Sequence, residues 1–464
     1  MSNGVMRNVD TPPQVRRFLT WLRPGMKLKR WLAVALVGAF FVLDGFGRIL
    51  KAYDFNFHIN ERINSAVGVG FPPGLLEIVF IAGGLALVYY GFRQYQRSII
   101  AAISPSTSQQ LIEVIHERRR LDRGNRLVVI GGGTGLSTVL RGLKQYTSNL
   151  TAIVTVTDDG GSSGRLRTEL GVLPPGDIRN CLVALADSES MMASLFQYRF
   201  NDGQGLVGHS FGNLFIAAMC GIAGDFDRAI KESSKVLAIK GRVLPSTLSN
   251  ISLEATLADG STIKGETSIS KSPLPIRRVR LVPSHCQALP EAIEAILAAD
   301  VIILGPGSLY TSIMPNLLVP GIAEAIERSR ATKVFVCNIM TQPGETTGMT
   351  AGDHVRAVLE ATDRRLFDRA LVNIGQANRL LPLYERDGAF QVPADLETIA
   401  AFGVRPIAGD FISEDHQVRH DSKKLAGAIL EIVEERSENY LNAFLPSSQR
   451  RASRAAAVGT DISK

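Results

Sequence analysis

The stretch that most constrains this chain runs from Arg126 to Arg167. A short apolar run, Leu127 to Ile130, ends in Gly131-Gly132-Gly133-Thr134-Gly135, and a helical pattern follows from Leu136 to Leu143. A second β-branched run, Ala152 to Val156, ends in Asp158-Asp159-Gly160-Gly161-Ser162-Ser163-Gly164. Strand, glycine turn, helix, strand and polar glycine turn make a βαβ unit. Such units bind ligands at the carboxyl ends of their strands, where both loops lie. Glycines bring backbone N–H groups close to phosphate oxygens, and a helix N-terminus adds positive potential. Leu136 stands where a dinucleotide fingerprint needs its third glycine, and no Gly-Lys-Ser/Thr follows, so neither that fingerprint nor a P-loop is present. A tight turn with no ligand is the bland alternative.

Further along, several apolar runs end in polar loops. Val301 to Leu304 leads into Gly305-Pro306-Gly307-Ser308-Leu309-Tyr310-Thr311-Ser312, Val334 to Val336 into Cys337-Asn338-Ile339-Met340-Thr341-Gln342, and Ala370 to Val372 into Asn373-Ile374-Gly375. Hydrophobic strands separated by helical stretches predict an α/β fold with a mainly parallel, doubly wound sheet. Ile251 to Ile269 alternates around Asp259-Gly260 and predicts a small β-hairpin excursion. Leu173-Pro174-Pro175-Gly176-Asp177 turns into a helix from about Ile178, with Asp177 as its N-cap and Arg179 and Asn180 in its first turn. Gly208-His209-Ser210-Phe211-Gly212-Asn213 opens another helix; His209 there is a candidate acid or base, or a hydrogen-bonding loop residue.

The fold is preceded by two apolar runs, Trp31 to Leu50 and Leu75 to Phe92, each about long enough to cross ~30 Å of hydrocarbon. Arg and Lys are dense before the first and follow the second. This predicts a transmembrane hairpin at 31–98 with an outer loop near 51–74, both chain ends and the α/β domain lying on the cytoplasmic side of the inner membrane. The remaining segments are a basic N-terminus (1–30), a charged helical connector (99–120), the α/β domain (121–445) and a disordered tail (446–464) in which Arg450-Arg451-Ala452-Ser453 could be a phosphorylation site. The net charge of +7 lies at the ends: residues 1–30 carry seven Lys/Arg against one Asp, and 446–464 four against one. The α/β part therefore has no electrostatic case for nucleic acid. Four scattered cysteines without CxxC fit reduced thiols better than disulfides or zinc.

The acidic pair Asp158 and Asp159 beside a phosphate loop has several roles open to it. It can accept hydrogen bonds from a sugar hydroxyl, hold Mg²⁺ against a diphosphate, or act as a general base. An Asx-type turn ahead of Gly160 is the ligand-free alternative.

In order, the motifs GGGTG, TVTDDGGSSGRLR, LPPGDIRN, GHSFGNL, ADGSTIKGE, GPGSLYTSIMPNLL, CNIMTQPGET and RHDSKKLA resemble the gluconeogenesis factor (YvcK-like) family, relatives of 2-phospho-L-lactate transferase, over Arg126 to Ile432. The resemblance implies a Rossmann-like fold. In the YvcK-like branch it implies a UDP-sugar ligand such as UDP-N-acetylglucosamine and a role in cell-wall synthesis, cell shape and carbon metabolism. In the transferase branch it implies Mg²⁺-assisted movement of a phospholactyl group from a guanosine diphosphate carrier. Carried onto this chain, the resemblance implies a phosphate loop of Gly131, Gly132, Gly133, Thr134 and Gly135. Asp158 and Asp159 then lie beside the ligand, with Gly161, Ser162 and Ser163 closing over it. Asp177, Arg179, Asn180, His209, Ser210 and Asn213 form a wall, and Gly305, Gly307, Ser308, Tyr310, Thr311 and Asn316 complete the pocket. The expectation is a membrane-tethered nucleotide-sugar-binding regulator, with no turnover, that engages envelope or metabolic partners and forms a homo-oligomer. The rival is a transferase in which Asp159 or a bound metal activates a hydroxyl.

Overall fold

The computed structural model describes residues 28–49, 75–103, 110–187, 191–415 and 417–444. The expectations for the basic segment up to residue 27, the outer loop and the tail after 445 lie outside them. The chain divides into two compact units, Met1–Glu117 and Arg118–Lys464.

The first unit contains α1 (Leu28–Ile49) and α2 (Leu75–Ile103). They run antiparallel: the Trp31 and Tyr90 rings meet edge-on with centroids 5.7 Å apart, and Phe41 stacks on Phe80 at 5.5 Å. Between those pairs the backbones touch. A Cβ on Gly38 would lie 2.7 Å from the Gly84 carbonyl, and one on Gly91 2.7 Å from Ala35 N, so only small residues permit this approach. Leu36, Phe40, Leu43, Ile78, Val79 and Leu85 point outward and are exposed. Among the described residues one helix, over Arg30–Gly47, is long and apolar enough to cross a membrane, where two were expected. The second apolar run, Leu75 to Phe92, begins at side chains that lie outside the described ones.

In the second unit α3 (Gln110–Asp122), which spans the division between the units, leads into β1 (Leu127–Gly131), α4 (Gly133–Leu143), β2 (Leu150–Val154), α5 (Gly161–Leu170), α6 (Gly176–Leu185), α7 (Met191–Gln197), α8 (Phe211–Ala223), α9 (Phe226–Val236) and β3 (Arg242–Pro245). An antiparallel excursion follows: β4 (Ser252–Leu257), β5 (Thr262–Lys264), the single turn α10 (Glu266–Ile269) and β6 (Ile276–Val282). The chain then resumes with α11 (Pro290–Ala298), β7 (Val301–Leu304), a π-helical turn (Leu309–Ile313), α12 (Met314–Leu317), α13 (Ile322–Arg328), β8 (Thr332–Val336), α14 (Ala351–Thr362), β9 (Arg369–Asn373), α15 (Leu381–Arg386), α16 (Leu396–Ala401) and β10 (Arg405–Gly409). A two-stranded ribbon, β11 (Ile412–Ser413) and β12 (Arg419–His420), precedes the terminal helix α17 (Ser422–Phe444).

Seven strands form one sheet in the order β10-β9-β8-β7-β1-β2-β3, every pair parallel. β1, β2 and β7 are buried along their whole length, as a sheet covered on both faces requires. From β1 the chain winds outward to β3; from β7 it winds the other way to β10. The order therefore reverses between β1 and β7, whose registers pair Leu127 with Val301 and Ile130 with Leu304. Crevices open at such switch points.

The α/β sheet and the β4–β5 hairpin match the sequence reading. β3 and β10 do not appear in it. Both are edge strands carrying a proline (Pro245, Pro406), and β10 is only half-buried, so neither shows the apolar run of a central strand. The segment read as continuing strand to Ile269 instead turns helical at Glu266, and β6 makes the excursion a three-stranded sheet.

Candidate functional site

α4 starts at Gly133, whose φ of +65° suits glycine, and Gly132 before it is extended. A Cβ on Gly132 would lie 2.6 Å from Asp177 Oδ2 and 2.9 Å from Thr155 Cγ2. One on Gly135 would lie 2.6 Å from the Pro306 carbonyl, so the loops after β1 and β7 cross with their backbones in contact. Asn316, fully buried, locks the crossing: its Nδ2 donates to the carbonyls of Gly131 (2.9 Å) and Ser312 (2.8 Å).

Above this crossing lies a crevice of about 460 Å³, in the size range of small-molecule sites. One side is Gly132 to Gly135 with Asp177 and Asn180; the other is Pro306 to Ser308 with Ser312 and the exit of β8, Asn338 to Met340 and Gln342. Glu266 and the pair Arg419-His420 close it. Thus eight predicted residues line the crevice: Gly132, Gly133, Thr134, Gly135, Asp177, Asn180, Gly307 and Ser308.

The remaining predicted residues are placed around it. Asp177 is not the N-cap of α6, which is Pro175; it sits in the first turn and accepts the Gly133 N–H. Arg179 donates to Ser210 Oγ and to Asn180 Oδ1 (2.8 Å). Ser162 Oγ lies 2.9 Å from His209 Nδ1 and accepts from Asn213 Nδ2 (3.1 Å), while Ser163 Oγ accepts the Gly176 N–H (3.1 Å). This buried network props α5, α6 and α8 behind the crevice without lining it. Ser210 is the N-cap of α8, its Oγ accepting the Asn213 N–H at 3.3 Å. Gly131 and Gly305 belong to the crossing beneath, Gly161 begins α5, and Tyr310 and Thr311 lie in the buried π-turn, with Thr311 Oγ1 donating to Glu345 (3.0 Å).

The two aspartates part company. Asp158 Oδ1 accepts the Gly160 N–H at 2.9 Å, an Asx turn. Asp159 Oδ1 accepts both the N–H (2.9 Å) and the hydroxyl (2.7 Å) of Thr267, pinning the excursion to the loop after β2. Among the described residues no three His, Cys, Asp or Glu side chains are grouped to hold a metal ion. Asp158 and Asp159 supply two carboxylates, so a Mg²⁺ ion there would take its remaining oxygens from ligand phosphates and water.

Carboxylates nevertheless crowd the crevice. Burial first, then the charge of Asp158, pushes Asp177 up to about 6, against the pull of the Gly133 N–H and Arg179. Burial and then Asp177, Asp158, Glu345 and Asp159 push Glu266 up to about 9, so it is a neutral hydrogen-bond donor at pH 7. Burial raises Glu345 too, although Ser270 and Thr311 both donate to it.

The crevice residues absent from the predicted set are chiefly Glu266, Ser312, Asn338, Gln342, Arg419 and His420. Asn338 and Gln342 stood in a polar strand exit, and Arg419-His420 in the RHDSKKLA motif, so a signal existed. Glu266 closes the ADGSTIKGE motif, but its segment read as strand, so nothing assigned it to the pocket.

Fold and site together define an open parallel α/β protein with a ligand crevice at its switch point. The chain belongs to the family described as 2-phospho-L-lactate transferase CofD, whose sequence model matches residues 127–412. It is 48% identical over 427 residues to a putative gluconeogenesis factor from Nostoc sp., covering 90% of this chain and 93% of that protein. It is also 48% identical to the gluconeogenesis factor of Bacillus subtilis, covering 67% of this chain and 98% of that protein. A UPF0052-family crystal structure from Bacillus halodurans aligns with a TM-score of 0.64 at 49% identity, covering 66% of this chain and 99% of that one.

Proposed function

We propose that this chain is a membrane-tethered regulator that binds a nucleotide-sugar of the UDP-N-acetylglucosamine type without turning it over, linking that ligand to cell-wall synthesis, cell shape and carbon metabolism. One observation carries the reading: two glycine loops cross at the β1/β7 switch point under a crevice whose floor is backbone and helix N-terminus, the arrangement that receives a diphosphate. Binding without turnover is supported by the state of the candidate nucleophiles. Cys337 is buried and pushed up to about 12, Ser162 and His209 bond each other behind the crevice, and Asp159 is held by Thr267. The tether reading rests on α1 and α2, whose large apolar side chains face outward. On this reading the α/β domain lies at the cytoplasmic face of the inner membrane, where envelope or metabolic proteins and further copies of the chain are its partners.

The test is calorimetric titration of the full chain in detergent with UDP-N-acetylglucosamine and with GDP, with and without Mg²⁺, followed by mass spectrometry. Saturable UDP-sugar binding with no product is expected. Preference for GDP with Mg²⁺, or any turnover, favours a transferase; binding of neither nucleotide overturns both.

A further inference from the structure

We propose that His420 reads the bound molecule: the lone pair of its Nε2 accepts a hydrogen bond from an N–H or O–H group of a ligand in the crevice. The inference rests on the nucleotide-sugar reading of that crevice and adds to it a residue with a defined polarity.

His420 sits on β12, opposite Ile412 of β11, and β12 packs against α4. Its ring is buried, with 7% of the residue exposed, yet the residue lines the crevice. Burial pushes the imidazole down to about 4, so it is neutral at physiological pH and carries a single N–H. That N–H is engaged by the Cys337 carbonyl at the end of β8. With Nε2 unpartnered, that bond falls to Nδ1 and favours the Nδ1–H tautomer, in which Nε2 presents a lone pair. Among the described residues Nε2 has no hydrogen-bond partner. An unmet buried acceptor is unfavourable; His354 also leaves its Nε2 without a partner in the core, and what sets His420 apart is that it lines the crevice.

Two neighbours on the crevice wall share the feature. Gln342 Oε1 and Glu266 Oε2 are also buried without partners. An acceptor on His420, an acceptor on Gln342 and a protonated carboxyl on Glu266 suit a ligand rich in amide and hydroxyl groups, joined to the anionic part that faces the glycine loops.

Two substitutions separate the ring's roles. In His420→Asn the amide still donates to Cys337 from the Nδ1 position but nothing accepts at the Nε2 position; His420→Gln carries an oxygen out to that position. The full chain and both variants are titrated in detergent with UDP-N-acetylglucosamine and with UDP, and their ligand-free melting temperatures are compared. His420→Asn is expected to weaken binding about tenfold with an unchanged ligand-free melting temperature, and His420→Gln to recover most of the loss. A loss confined to UDP-N-acetylglucosamine assigns the acceptor to the sugar, and an equal loss with UDP assigns it to the nucleotide; either supports the inference. In parallel, wild-type chain labelled with ¹⁵N-histidine must show the Nδ1–H tautomer and an upfield move of the His420 Nε2 resonance when the probe binds, a readout that survives any folding defect of the variants. A bound probe with an unmoved Nε2 resonance, or a folded His420→Asn that binds as wild type does, overturns this inference alone. A wild type that binds neither probe overturns the nucleotide-sugar reading and this inference with it.

Discussion

At Gly132 an added methyl meets Asp177 Oδ2 at 2.6 Å and Thr155 Cγ2 at 2.9 Å, both closer than real Cβ contacts allow. Gly132→Ala should therefore cost about 1–3 kcal/mol in urea unfolding and displace Asp177 from the Gly133 N–H, weakening ligand binding. Gly221, inside α8 with nothing within 4 Å of its would-be Cβ, is the control: Gly221→Ala should gain about 0.5–1 kcal/mol. If both variants shift stability alike, the close approach has been misjudged. Glu266 supports a pH prediction. Its folded pKa, about 9, lies above its unfolded value, so between the two the native state holds a proton that the unfolded state has released. Wild-type stability relative to Glu266→Gln should then fall steadily as pH rises from about 4.5 toward 9, and level off beyond both limits. Urea melts of the pair at pH 5, 7 and 9 read this directly; a difference independent of pH would count against a protonated Glu266.

At the scale of elements, the excursion β4–β6 and the terminal helix each make one close contact with the body of the domain that a single substitution removes or disrupts. Asp159 holds the first turn of α10 through Thr267, so Asp159→Ala should speed amide exchange at Thr267 by about tenfold or more while leaving β1 and β7 protected. Because α10 carries Glu266 into the crevice, the same variant should loosen ligand binding although Asp159 lines no part of it. α17 meets α4 at Gly142, where a Cβ would lie 2.1 Å from the Ser422 carbonyl and 2.9 Å from Ala426 Cβ. Gly142→Leu should force the helices apart and cost about 2 kcal/mol or more, measured by thermal unfolding. The sequence shows the inner strands because a strand covered on both faces must be apolar throughout. It hides β3, β10 and β6, which admit Arg242, Pro406 and the exposed Arg277, Arg278 and Arg280.

For the whole molecule, the Bacillus subtilis relative is matched over 98% of its length by 67% of this chain, so the α/β unit exists elsewhere without the hairpin. A fragment spanning Arg118–Phe444 should accordingly fold, stay in the soluble fraction and bind UDP-N-acetylglucosamine as tightly as the full chain, whereas the full chain should sediment with membranes. A full chain recovered in the soluble fraction would remove the tether from the proposal. Binding lost with the hairpin would mean that the two units are not independent.

Residue identity alone determined the βαβ start, the parallel sheet and the glycine loops, since each follows from local rules: apolar runs must be buried, and a backbone can approach a ligand only where no Cβ intervenes. The same rules mark the glycine loops of Gly132 to Gly135 and of Gly307 and Ser308, whereas the family resemblance assigned them, with Asp177 and Asn180, to one pocket. They could not separate Asp158 from Asp159, because which carboxylate finds a partner depends on Thr267, 108 residues away. Nor could they bring Glu266, Gln342 and His420 to the same crevice. Those residues come from the excursion, the exit of β8 and a ribbon near the end of the chain, and only the crossing order of the sheet decides that they meet. The protonation of Glu266 and the tautomer of His420 are set by that meeting, through burial and neighbouring charge for the one and through burial and the Cys337 carbonyl for the other.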